Sequence, residues 1–104
     1  MKATYDNANK LLRLKMTDEI DHCMAEKIRN KADFEIQKHM PQKIVMDFDK
    51  VSFMDSAGIG MILGRYKTAK LVGSTLNLSN VKPTIKKVLE MSGVLKIIPI
   101  TGEL

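Results

Sequence analysis

A nearly unbroken apolar run in the middle of the chain restricts the possible folds more than any other feature. Residues 44–48 read Ile-Val-Met-Asp-Phe, which is typical of a central β-strand covered on both faces. A polar turn follows, and a segment with helical periodicity comes after it. The apolar positions of that segment are Ile59, Ile62, Leu63, Tyr66 and Ala69. A buried strand followed by an amphipathic helix predicts an α/β protein with helices packed against a sheet.

Two strands are predicted before this run. Residues 3–5 can form a short strand, and residues 6–9 are rich in turn formers, so a hairpin is expected. Leu12, Leu14 and Met16 then alternate with charged residues, as expected for a strand with one buried face.

The helices are predicted from apolar spacing and from their end signals. In the first helix Met24, Ile28, Ala32 and Ile36 recur every four residues, Asp21 is the expected N-cap, and Pro41 marks the end. The organising helix after the central strand is expected to end near Leu71, with Gly73 as its stop.

The remaining elements complete an alternating order. A strand is predicted at 75–79, a third helix between Pro83 and Gly93 with Ile85, Val88 and Leu89 inward, and a last strand at 95–98. The order is therefore β-β-α-β-α-β-α-β. It predicts one domain over residues 1–104, with a mixed sheet of four to five strands and helices placed against it by right-handed crossovers.

Composition excludes several classes of function. The single cysteine, Cys23, excludes an internal disulfide, and no His or Cys pair has metal-ligand spacing, so neither a metal nor another cofactor is expected. The chain has no apolar run long enough for a signal sequence or a membrane span, which favours a cytoplasmic protein.

The net charge of +5 is unevenly distributed. Residues 1–55 carry ten basic and ten acidic side chains, whereas residues 56–104 carry seven basic side chains and only Glu90 and Glu103 as acids. Nucleic-acid binding is disfavoured because the chain has five aromatic residues and no combined aromatic and basic RNA-binding signature. A solvated lysine face explains the excess charge better.

The turn before the organising helix is the candidate functional site. Ser56 is predicted to be the N-cap, and Ala57, Gly58 and Gly60 leave the first turn almost bare, so that a partner's backbone could approach closely. Met61 lies near the helix start and off the predicted apolar stripe, which makes it a candidate for adaptable contact with a partner.

An acidic loop precedes the first helix and is expected beside this turn. It contains Asp18, Glu19 and Asp21, at the end of a strand where binding groups of α/β folds collect. The full predicted contact surface is Glu19, Asp21, His22, Asp55, Ser56, Ala57, Gly58, Ile59, Gly60, Met61 and Arg65.

Other chemistries fit the residues less well. Gly58, Gly60 and Gly64 do not form a dinucleotide fingerprint, because the third glycine falls one residue late, and no phosphate-binding Gly-Lys-Ser/Thr triplet exists. A hydrolase triad of Ser56, His22 and Asp21 is disfavoured since so short a chain leaves little room for a substrate pocket. A small-ligand or nucleotide-binding domain that uses the Ser56 helix start as an anion site remains the alternative to a protein-binding module.

The sequence Ser-Phe-Met-Asp-Ser-Ala-Gly-Ile-Gly-Met-Ile-Leu-Gly-Arg-Tyr-Lys at 52–67 closely resembles the anti-sigma factor antagonists of the STAS superfamily, in particular those of sporulation. Asp21-His22, Met91-Ser92-Gly93 and Lys96-Ile97-Ile98 match in the expected order, so the resemblance covers nearly the whole chain. One departure is Asp18, which stands where the family usually has glycine and could stiffen the approach to a partner.

The resemblance implies that Ser56 is phosphorylated by an anti-sigma factor that is also a serine kinase and holds the sigma factor. The unphosphorylated antagonist would bind this kinase and release sigma, and a serine phosphatase would reverse the modification. The protein would then be a kinase substrate with no catalysis and no cofactor of its own. It is expected to be monomeric when free, and to bind neither nucleic acid nor membranes.

Overall fold

The computed structural model describes residues 1–17 and 19–101, which form seven strands, three α-helices and one 3₁₀ turn. The strands are β1 (Lys2–Asp6), β2 (Leu11–Lys15), β3 (Glu19–Ile20), β4 (Lys43–Asp47), β5 (Phe53–Met54), β6 (Thr75–Ser79) and β7 (Ile100–Thr101). The helices are α1 (His22–His39), α2 (Ser56–Leu71) and α3 (Pro83–Ser92), and the 3₁₀ turn is Val94–Lys96.

Five strands form a mixed sheet in the order β1-β2-β4-β6-β7. The β1–β2 hairpin is antiparallel, whereas β2–β4, β4–β6 and β6–β7 are parallel pairs. This sheet and the three helices confirm the predicted α/β class, including the initial hairpin. The hairpin turn is held by Asp6, whose carboxylate accepts hydrogen bonds from the Asn9 side chain and from the backbone of Ala8 and Asn9; these bonds lower the pKa of Asp6.

The hydrophobic core is formed by buried residues of the sheet and of the helices. Alternate residues of neighbouring strands supply it: Leu12 pairs with Ile44, and Leu14 pairs with Met46. Helix α1 contributes Ala25, Ile28, Ala32 and Ile36, and Met24 is only half-buried. The predicted central strand is confirmed, because residues 44–46 and Phe48 are all fully buried.

Apart from the start of α2, the predicted helix ends agree with the structure. Asp21 caps α1, and that helix ends at His39 with Met40 in the left-handed region at φ 47°. Helix α2 ends at Leu71, and Gly73 has φ 79°. Helix α3 begins at Pro83 and is followed by Gly93.

Two predictions about the secondary-structure elements are wrong, and two short strands were not predicted. Residues 95–98 do not form a strand, because the 3₁₀ turn Val94–Lys96 lies there, with Val94 and Ile98 both buried at helical spacing. The edge strand is instead Ile100–Thr101. Val88 is 36% exposed and does not point inward with Ile85 and Leu89. The two-residue strands β3 and β5 were not predicted, since two residues are too short to show a strand period.

Candidate partner-binding site

A small second sheet positions the candidate site. Strands β3 and β5 run parallel, with Glu19 beside Phe53 and Ile20 beside Met54. Ile20 and Met54 are buried in the main core, whereas Glu19 and Phe53 are exposed. Because each strand is followed directly by a helix, this sheet brings the starts of α1 and α2 side by side.

Two aspartates cap these helices with nearly the same geometry. Asp21 has φ −93° and ψ −175°, and its Oδ1 accepts from Met24 N at 2.9 Å. Asp55 has φ −94° and ψ −175°, and its Oδ1 accepts from Ala57 N at 2.9 Å. The prediction that Ser56 is the N-cap is therefore wrong: Asp55 is the cap, and Ser56 is the first residue of the helix.

Ser56 is left exposed by this arrangement. The Asp55 carboxylate satisfies the first-turn amide of Ala57, so the cap does not require the Ser56 hydroxyl. Asp55 itself is tied to the small sheet, because its N–H donates to Ile20 O at 3.2 Å. The Ser56 side chain is thus exposed at a helix start that is anchored to β3.

A shallow groove lies between the first halves of α1 and α2. Its volume is about 190 Å³. Its lining residues are His22, Ala25, Glu26 and Arg29 from α1, and Ala57, Gly60 and Met61 from α2. Further along the same two helices Asp33 contacts Arg65, so the helices run alongside each other in the same direction. The groove starts at His22 and Ala57, and therefore lies next to the predicted acidic loop and the Ser56 turn.

The structure brings the predicted contact residues together but does not expose all of them. Glu19, Asp21, His22, Ser56 and Gly60 are exposed. Asp55, Ala57 and Ile59 are half-buried, and Gly58, Met61 and Arg65 are buried. Asp18, the remaining member of the predicted acidic loop, lies outside the described residues.

The prediction that Gly58 keeps the surface bare for a partner is wrong. Its missing side chain faces the interior, where an added Cβ would lie 2.2 Å from Met54 Cγ and 2.5 Å from Met54 Sδ. Ile20 Cγ2 would be 3.3 Å away. Glycine is needed at 58 so that the first turn of α2 can pack on the β3–β5 sheet.

Gly60 is the glycine that leaves the surface open. No atom lies within 4 Å of a Cβ built there, and the residue is exposed and lines the groove. The close approach expected of a partner's backbone is therefore available at Gly60 and not at Gly58.

Met61 and Arg65 lie deeper than expected for residues on a contact surface. Met61 is 5% exposed and forms part of the groove floor while packing in the core. Arg65 is 4% exposed, and its Nε lies 2.8 Å from Asp33 Oδ1. Burial lowers the pKa of the Arg65 guanidinium; Asp33 opposes this shift and Arg29 adds to it.

Sequence reasoning missed three residues of this surface. Phe53 is 51% exposed beside Glu19, and Glu26 and Arg29 line the groove. Their spacing offered a signal, because His22, Glu26 and Arg29 lie at i, i+4 and i+7 and therefore share one face of a helix.

Two other kinds of site are not found in the described part of the chain. Within residues 1–17 and 19–101, no group of three or more His, Cys, Asp or Glu side chains could hold a metal ion. Over the same residues, no helix has the length and apolar character needed to cross a membrane.

The chain belongs to the STAS domain family, which it matches over residues 2–104. The family resemblance seen in the sequence is thus confirmed. Among curated relatives, the anti-sigma F factor antagonist of Paenibacillus polymyxa is 37% identical over 90 residues, which are 86% of this chain and 77% of the relative.

Solved structures show the same relationship. The anti-sigma factor antagonist SpoIIAA in its unphosphorylated form superposes with a TM-score of 0.84 at 28% identity, over 99% of this chain and 87% of that one. The phosphorylated form of SpoIIAA, described as a Bacillus cell fate determinant, gives a TM-score of 0.72 at 28% identity, over 99% and 92% of the two chains.

Proposed function

We propose that this protein is an anti-sigma factor antagonist whose binding is switched off by phosphorylation of Ser56. The observation that carries the proposal is the position of Ser56: it is exposed at the first residue of α2, beside the α1 start and the groove between the two helices. In the unphosphorylated state the protein binds an anti-sigma factor that is also a serine kinase, and so releases the sigma factor.

The relatives support this assignment. The curated matches from Paenibacillus polymyxa and Lysinibacillus sphaericus are anti-sigma F factor antagonists, at 37% and 35% identity. SpoIIAA has been solved both with and without phosphorylation, which shows that a protein of this fold can exist in the two states. Sporulation is accordingly the process in which we place the protein.

The charge around the groove favours a partner with a basic face. Glu19, Asp21, Glu26 and Asp55 are gathered at this end, and Arg29 is the basic residue of the groove lining. The whole chain nevertheless carries a net charge of +5. An acidic patch on a basic protein can orient a partner before contact, because complementary potentials steer association.

A nucleotide or other small anion at the Ser56 helix start is the less favoured function. The groove volume of about 190 Å³ is small beside the roughly 300–1,000 Å³ of most ligand pockets. The Ala57 amide already donates to the Asp55 carboxylate, so it is not available to a bound anion. Such an anion would also be repelled by the negative charge of Asp55.

Several further properties follow from this assignment. The protein acts as one domain over residues 1–104 and is a kinase substrate without catalysis of its own. A serine phosphatase restores the active form. We also propose that the protein works in the cytoplasm as a monomer when free, without binding nucleic acid or membranes.

The direct test is incubation with the candidate anti-sigma factor kinase and ATP, followed by mass mapping of the phosphate. We expect one phosphate, on Ser56. A phosphate on another residue would contradict the assignment. So would the absence of any phosphate on a folded protein that binds the kinase. Calorimetry with nucleotide in the absence of kinase tests the alternative, because tight binding there would favour a small-ligand function.

Replacing Ser56 with alanine should preserve partner binding and abolish the switch. Because Asp55 is the cap, the loss of the Ser56 hydroxyl should change the free energy of unfolding by less than about 0.5 kcal/mol, as for other surface positions. Asp55→Ala is the matched control and should cost about 0.5–2 kcal/mol. Urea unfolding and kinase titration measure the two effects; a folded Ser56→Ala protein that fails to bind would refute the proposed role.

Valine at Gly60 should weaken kinase binding without destabilising the fold. The new side chain has open space in the free protein but narrows the groove that a partner would enter. We expect the dissociation constant to rise by about tenfold or more, as for the centre of an interface. Gly64→Val is the control, since Gly64 also has open space around it but lies one turn away and does not line the groove. Equal effects of the two variants would argue against contact at Gly60.

A further inference from the structure

The ion pair of Arg65 and Asp33 joins α2 to α1 one turn beyond the groove. Arg65 lies on α2 and is 4% exposed, whereas Asp33 lies on α1 and is half-buried. Arg65 Nε is 2.8 Å from Asp33 Oδ1. We propose that this pair is a positioning device that sets α2 against α1 and thereby shapes the surface that binds the kinase, an inference that rests on the proposed function.

The geometry of the pair does not fit a role in stability alone. Although Nε and Oδ1 are close, they are not aligned as a hydrogen bond, and Arg65 Nη1 has no hydrogen-bond partner among the described residues. Burying a charge is costly, and the cost is offset only when the geometry is good and the remaining donors are satisfied. A pair with these defects is weak as a stabilising contact, but it still holds a side chain of α2 against a side chain of α1.

The location of the pair links it to the binding surface. Arg29 lines the groove and lies one turn before Asp33, while Met61 forms the groove floor one turn before Arg65. Arg29 is also close enough to Arg65 to lower the pKa of the Arg65 guanidinium. Two guanidiniums therefore lie near each other at the inner end of the groove, and Asp33 is the carboxylate that contacts Arg65.

The binding surface is divided between the two helices, and this division explains why their relative position matters. His22 and Glu26 are on α1, whereas Ser56 and Gly60 are on α2. A partner that contacts both helices needs a fixed separation between them, since a displacement of one helix misplaces every contact which that helix makes with the partner. Arg65 thus acts on binding through the groove and without touching the partner.

The test replaces both members of the pair with apolar residues, Asp33→Leu with Arg65→Met. Such replacements of buried ion pairs are often neutral or stabilising, so the double variant should keep its urea midpoint. Residual dipolar couplings of backbone amides should show a changed angle between α1 and α2. The dissociation constant for the kinase should rise about tenfold or more. In assays of Ser56 phosphorylation, KM should rise and kcat should stay the same.

Two further variants separate positioning from general stability. Glu35→Leu removes the ion pair between Glu35 and His39 within α1, and should change neither the helix angle nor the affinity. Arg65→Lys retains a cation opposite Asp33, and should therefore keep more of the wild-type affinity than the double variant does.

The outcomes are distinguishable. An unchanged helix angle in the double variant, or unchanged kinase affinity despite a changed angle, would overturn the inference. Failure of the wild-type protein to bind the kinase would instead refute the proposed function, and the helix angle would still decide whether the pair positions α2.

Discussion

Phosphorylation of Ser56 is expected to reduce affinity for the anti-sigma factor kinase by orders of magnitude and to leave the fold nearly unchanged. The phosphate adds a charge of about −1.5 to −2 at an exposed position. Its nearest acidic neighbour is Asp55, whose carboxylate already holds the first-turn amide of Ala57. The phosphate therefore gains little from the helix start and extends toward solvent.

The loss of affinity comes from the complex rather than from the free protein. A partner shaped to cover Ala57 and Gly60 would have to bury a hydrated dianion next to the acidic patch, and an unpaired buried charge costs several kcal/mol. In the free protein, water and salt damp the repulsion between the phosphate and Asp55. That repulsion is small beside the stability of about 5–15 kcal/mol that is usual for a domain.

Calorimetric titration of the kinase with the two forms would measure this effect, and amide NMR would locate it. Shift changes should be confined to residues 53–62 and 19–23. Thr84→Asp is a control that adds a negative charge to the exposed first turn of α3, and it should bind normally. Equal affinity of the two forms would contradict a steric and electrostatic switch, and shift changes throughout the main sheet would show that phosphorylation remodels the fold.

Replacing Gly58 with a larger residue should destabilise the protein markedly. A Cβ at this position would overlap Met54, which is itself 5% exposed and packed in the core. Overpacking of this kind typically costs about 1–3 kcal/mol, and valine adds the bulk of a branched side chain. The expected result is a lower urea midpoint for Gly58→Ala and a still lower one for Gly58→Val. Weaker kinase binding by these variants would follow from displacement of the α2 start.

A second substitution tests whether Met54 is the cause. Met54→Ala alone leaves a cavity and should cost about 2–5 kcal/mol. When Met54→Ala is combined with Gly58→Ala, the methyl group added at position 58 can occupy part of that space. The loss of unfolding free energy in the double variant should then be less than the sum of the losses in the two single variants, with a coupling energy of about 0.5–3 kcal/mol. Gly60→Ala is the matched control and should raise stability by about 0.4–1 kcal/mol, because its Cβ meets no atom within 4 Å. If the losses of unfolding free energy at positions 54 and 58 are additive, the overlap at position 58 is relieved by a part of the structure other than Met54.

The sequence alone was sufficient to predict the class of fold and to select the stretch that we propose as functional. Long elements have a readable period, so β2, β4 and the three helices were predicted with Asp21, Pro83 and Gly93 at or next to their ends. The motif at 52–67 indicated the family directly. These features depend on neighbouring residues, which interact through local backbone geometry and hydrophobic spacing.

Only the tertiary structure decided where each residue of the candidate site lies and what it contacts. The strands β3 and β5 have two residues each and are defined by pairing with one another, across the whole of α1 and β4, rather than by a local pattern. The sequence prediction placed the cap at Ser56, whereas the structure, in which Asp55 N–H donates to Ile20 O of this small sheet, has Asp55 as the cap and leaves Ser56 exposed. Likewise, the sequence does not distinguish the surroundings of Gly58 from those of Gly60. In the structure Gly58 faces Met54, whereas Gly60 faces open space. Which side of a helix is covered depends on the elements packed against it, so Arg65 could be recognised as buried opposite Asp33 only when α1 and α2 were placed together.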